Sequence, residues 1–73
     1  MYKPYRRIFL AARNAYRHSR APLQLAVEDA AAAAFTAAQR QGFSRFDLRR
    51  ISETAVWQAT GIAPGDFVAR GMM

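Results

Sequence analysis

The chain has 73 residues, no cysteine, a net charge of +6 and a sequence pI of about 11.2, which together bound it to one small domain, 1–73, without disulfides or thiolate metal ligands. Its longest apolar run, Ala30 to Phe35, is far short of the roughly 20 residues that cross a bilayer. The apolar stretch Ile8 to Ala12 is too short for a secretory signal, so a cytoplasmic protein is expected.

No run alternates apolar and polar residues, and no Asn-Gly or Asp-Gly turn occurs. Alanine, arginine, leucine and glutamine dominate, and these are good helix formers. The expected fold is therefore all-α: three helices plus a short C-terminal helix, preceded by an extended basic arm over residues 1–4. Pro4 disfavours helix at Lys3 and suits the first turn of a helix starting at Pro4 itself. Helix one is predicted from Tyr5 to His18. At about 100° per residue, Tyr5, Ile8, Phe9, Ala12 and Tyr16 share one side, and Arg6, Arg13, Arg17 and Arg20 form a stripe beside its aromatic edge. Arg7 and His18 lie elsewhere on the wheel.

Pro22 opens helix two, because a first-turn proline lacks only an N–H that has no helical acceptor. That helix is predicted from Pro22 to Gln41, with Leu23, Val27, Ala30, Ala34 and Ala37 as its apolar face. Glu28 and Asp29 fall early in it and Arg40 late, as the helix dipole favours. Gly42 is the stop signal. Ser44 is the N-cap of helix three, with Asp47 as a short-armed capping-box partner. Leu48, Ile51, Ala55 and Ala59 are its core face, and Gly61 its end. A short helix is expected from about Pro64 to Arg70.

Residues that could do chemistry are sparse. His18 is the only histidine, and the five acids include no close pair except the adjacent Glu28 and Asp29. Neighbouring helical positions do not converge on one point. The glycines fit neither GxxxxGK[ST] nor GxGxxG, and Ser19, Ser44 and Ser52 have no nucleophile context. The expectation is a protein that is not an enzyme and holds no metal or cofactor.

Binding is the alternative to chemistry. Six of the 11 basic residues, Lys3, Arg6, Arg7, Arg13, Arg17 and Arg20, stand in the first twenty positions, with no acid among them. Arginine forks match phosphate and carboxylate geometry, and the neighbouring Tyr2 and Tyr5 can stack on bases or guanidinium planes. Equally, the aromatics of helix one can be core and the arginines a solvated face. On helix three, Phe46, Arg50, Glu53 and Trp57 share a side distinct from the core face. A Trp beside an Arg at helical spacing is either a binding hot spot or a packed aromatic that a small domain needs. Residues 52–70, with Gly61 followed by Ile62, also carry the glycine-then-apolar turn of a DNA-binding helix-turn-helix. Against that stand the bulky Trp57 near the turn and a short second helix with one arginine.

The segment Tyr2-Lys3-Pro4-Tyr5-Arg6-Arg7 on a very small, basic, helical chain resembles the phage-encoded antitermination factors that inhibit host RNA polymerase, of the Xanthomonas phage type. The resemblance is one of size and general character. It implies binding to the amino-terminal part of the polymerase β′ subunit near the RNA exit channel, with inhibition of initiation and suppression of intrinsic termination. A small anti-CRISPR protein would share the same character. The partner-binding residues expected are Tyr2, Lys3, Tyr5, Arg6, Arg7, Arg13, Arg17, Arg50 and Trp57. The partners expected are host RNA polymerase and nucleic-acid phosphates, with no membrane, in a chain that is a monomer or weak homodimer.

Overall fold

In the computed structural model, residues 3–62 are described, and among them there are three α-helices and no strand: α1 (Lys3–His18), α2 (Leu23–Arg40) and α3 (Arg45–Thr60). Each helix packs against both others. The expected C-terminal helix from Pro64, most of the second half of the helix-turn-helix segment, and Tyr2 lie outside the described residues.

Helix ends follow the punctuation of the sequence. Pro22 caps α2, and the Ala26 N–H reaches its carbonyl at 2.9 Å. At the other end Gly42 adopts φ +83°, which a Cβ would disfavour. The Gly42 N–H bonds the Gln39 carbonyl at 3.0 Å and the Phe43 N–H bonds that of Ala38 at 3.4 Å, the paired arrangement of a Schellman stop. Phe43, thrown back by that turn, packs against the core. Gly61 ends α3 at φ +77°, its N–H on the Trp57 carbonyl at 2.8 Å.

Three local expectations need correction. Lys3 and Pro4 belong to α1 and not to an extended arm, because Pro4 in a first turn gives up an N–H that has no intrahelical acceptor there. Ser44 caps α3 by position only. Its hydroxyl donates to the Asp47 carboxylate at 2.9 Å, while the Asp47 and Leu48 N–H groups reach its backbone carbonyl at 3.0 Å. Glu28 and Asp29 lie beyond the first turn of α2, and Asp29 accepts the Ser19 hydroxyl of the α1–α2 connection at 3.1 Å.

The core is built largely from small side chains. Ile8 and Ala12 of α1 meet Val27, Ala30, Ala31, Ala34 and Ala38 of α2 and Leu48, Ala55 and Val56 of α3. Alanine buries little area per residue but lets helix axes come close, and tight interiors depend on that closeness. Leu23 points to the expected side of α2, yet at the first helical position no neighbour covers it, and it is 61% exposed. On α3 the buried stripe is Leu48, Ser52, Ala55 and Val56, with Ile51 and Ala59 half-buried. Burial of Ser52 is possible because its hydroxyl donates to the Leu48 carbonyl at 2.6 Å.

Candidate functional site

Every charged residue of α1 is exposed: Lys3, Arg6, Arg7, Arg13, Arg17 and the polar-ended His18. With Ile8 and Ala12 fixed inward, helical spacing puts these six within about 140° of the helix circumference. Arg7 thus completes one broad cationic face with Lys3, Arg6, Arg13 and Arg17, with the His18 ring at its border. No acid occurs anywhere in α1. His18 donates through Nδ1 to the Asn14 carbonyl at 2.8 Å, closing the last turn, and Arg20 is exposed just beyond it.

The placement of these charges runs against what folding favours. The amino end of a helix carries a partial positive charge that favours acids. Lys3 and Arg6 occupy the first turn of α1 instead. Of the α1 cations only Arg17, in the last turn, stands where the dipole favours one.

Two grooves flank α1, and one of them borders the cationic face. Between α1 and α2 runs a channel of about 690 Å³ with an alanine floor of Ala11, Ala32, Ala33 and Ala37, edged by Arg7 and Arg40. Between α1 and α3 lies a smaller groove of about 290 Å³, lined by Tyr5, Ile8, Arg50, Ile51, Thr54, Ala55 and Gln58. The cationic face therefore reaches Arg40 across the first groove, whereas no α1 cation lines the second.

Tyr5 is 45% exposed and its ring stacks on that of Phe43, with centroids 5.5 Å apart. Its position is both structural and accessible. Arg50 and Trp57 are not gathered with the α1 residues into one point. They lie on the outer side of α3, opposite its buried stripe, with Trp57 54% and Phe46 93% exposed. Trp57 is thus not packed beneath α1, and the C-terminal turn, the other place expected to cover it, lies outside the described residues. The charges of α3 pair within the helix: Arg49 with Glu53 at 3.0 Å and Arg50 with Asp47 at 3.6 Å. Neither pair involves α1.

Among the described residues no group of three or more His, Asp or Glu side chains could hold a metal ion, and no helix is long and apolar enough to cross a membrane. Among the described residues the fold and site define the class no further than three packed α-helices, the first with a cationic exposed face. No family model matches the chain, and no curated protein or solved structure matches it.

Proposed function

We propose that the chain is a non-enzymatic, cytoplasmic regulator that docks through the cationic face of α1 on an acidic surface of a bacterial host's RNA polymerase, lowering initiation and suppressing termination. The observation that carries the docking face is the run of Lys3 and Arg6 at the wrong end of the α1 dipole, within a helix that has no acid. Folding does not account for these cations, and an anionic partner does. The polymerase is the partner that the likeness in size, charge and amino-terminal segment implies. In this reading Lys3, Arg6, Arg7, Arg13 and Arg17 supply the electrostatic contact, with Tyr5 at its amino-terminal edge and Tyr2 next to Lys3 in the sequence.

The test uses purified bacterial RNA polymerase, that of a Xanthomonas host first. Binding is followed by interferometry, and read-through of an intrinsic terminator is measured in the same reactions. The variant Arg6→Gln/Arg7→Gln/Arg13→Gln/Arg17→Gln is expected to weaken binding by at least about tenfold and to abolish read-through, with helicity retained. Native-level binding by this variant, or none by the wild-type chain, overturns the reading. Sequence-specific, salt-sensitive shift of bare duplex DNA would replace it with a DNA-binding one.

A further inference from the structure

The outer face of α3 is unexplained by docking through α1. It exposes Phe46 and Trp57, at 93% and 54%, on a helix whose opposite side is core. Between them stand Arg50, whose side chain is 80% exposed, and Glu53, whose side chain is 24% exposed and accepts through Oε1 from Arg49 at 3.0 Å, so that it would share its carboxylate between two guanidinium groups. The positions 46, 50, 53 and 57 are spaced four, three and four apart, which reads the same from either end. That is also the alternation of d and a positions in a helix-pairing seam, and in an antiparallel pair each a faces a d.

We propose that α3 pairs antiparallel with α3 of a second copy about a two-fold axis. The axis passes between positions 51 and 52. It sets Phe46 against Trp57 of the partner subunit at each end, about 16 Å apart along the helix. It sets Arg50 against Glu53 of the partner subunit twice in the middle. The face is self-complementary, as a two-fold interface must be: ring meets ring, and guanidinium meets carboxylate.

Charge favours this face over that of α1, and the palindromic order of rings and charges favours it over α2. α3 carries Arg45, Arg49 and Arg50 against Asp47 and Glu53, a sum of +1, whereas α1 carries five Lys and Arg side chains and no acid. Two copies that each bear +6 repel less when they meet through α3 than through α1, and α3 pairing turns their α1 faces outward. Arg50 is available for the exchange, because its contact with Asp47 is long, 3.6 Å, and open to solvent. A fully open aromatic side chain can bury about 150–250 Å², of which nearly all remains open at Phe46 and about half at Trp57. Four rings and the central charges give an interface below about 1,200 Å², which fits a reversible dimer with a dissociation constant on the order of 10⁻⁵ M. The pairing is independent of what α1 binds.

Sedimentation equilibrium of the full chain, from roughly 10⁻⁶ to 10⁻³ M, tests the proposal. The wild-type chain is expected to pass from monomer to dimer across that range. Arg50→Glu alone and Glu53→Arg alone are each expected to stay monomeric, because like charges then meet at the centre. An equimolar mixture of these two variants is expected to recover the dimer mass, as is the double variant Arg50→Glu/Glu53→Arg. Phe46→Ala is expected to weaken the dimer by about tenfold or more. Circular dichroism of each variant separates loss of pairing from loss of helix. A wild-type chain that remains monomeric throughout, or single variants that dimerise as the native chain does, sinks the proposal. A mixture that stays monomeric sinks the register. The α1 glutamine variant, which tests docking, is expected to dimerise normally.

Discussion

The ring of Tyr5 lies on the ring of Phe43, centroids 5.5 Å apart and planes 13° from parallel. The contact ties the amino-terminal turn of α1 to the loop that joins α2 to α3. Phe43 reaches it because the Gly42 turn throws it back over the core. An aromatic pair is worth about 0.5–1.5 kcal/mol beyond its buried area. Tyr5→Ala is expected to destabilise the domain by about 1–3 kcal/mol, and Tyr5→Phe to retain most of the stacking. In a domain of this size about 1 kcal/mol moves Tm by about 4–8 °C, so thermal melts resolve the two variants. Equal melting of both would show that the stack contributes nothing.

The same residue shows how far sequence reasoning reached. Tyr5 was assignable to the aromatic edge of helix one by period alone, but its partner was not, since Phe43 is 38 positions away and its direction depends on a glycine turn. Helix ends were legible where a residue type has one backbone role, as at Pro22, Gly42 and Gly61. The start of α1 was not, because Pro4 permits both an arm before it and a helix around it. The core of α3 was displaced from the expected stripe. Ile51 reads as more apolar than Ser52, yet Ser52 is fully buried, its hydroxyl satisfied by the carbonyl four residues back. Hydropathy cannot register a polar group that its own helix satisfies. The outward side of Trp57 was named from spacing but left open against packing, and only the phase of the buried stripe decides between them.

The alanines of α2 differ sharply in what they permit. Ala34 is fully buried where the three helices meet, whereas Ala32 is exposed in the floor of the α1–α2 groove. Ala34→Leu is expected to force α1 and α2 apart and to cost about 1–3 kcal/mol or more. Ala32→Leu, the same chemical change two residues away, is expected to stay within about 0.5 kcal/mol. Denaturant titration of both variants measures the contrast. A tolerated leucine at Ala34 would mean that close helix approach is not what the alanine run provides.

Gly42 and Gly61 both hold positive φ, and a Cβ at either would meet no atom within 4 Å. The cost of substitution is therefore conformational and not steric crowding. Gly42→Ala and Gly61→Ala are each expected to destabilise by about 1 kcal/mol, and the asparagine variants by less, because asparagine tolerates the left-handed region better. Urea midpoints at constant m-value give the comparison. Alanine equal to asparagine at both sites would contradict it.

Two arginines of α1 should respond oppositely to one substitution. Arg6 is in the first turn, where the helix dipole disfavours a cation, and Arg17 is in the last, where it favours one. Removing charge by Arg6→Gln is expected to raise stability by a few tenths of a kcal/mol, and Arg6→Glu by about 0.5–1 kcal/mol. Arg17→Gln is expected to lower stability through the dipole, partly offset by relief from Arg13 one turn before it. Added salt should shrink all three differences, since these groups are exposed. Thermal melts at low and high salt read the signs directly. If Arg6→Glu stabilises the fold while it weakens partner binding, the cation at that position is held against the preference of the helix, and contact with an anion is the reason. If Arg6→Glu is neutral to binding, the first-turn cations lose their place in the docking face.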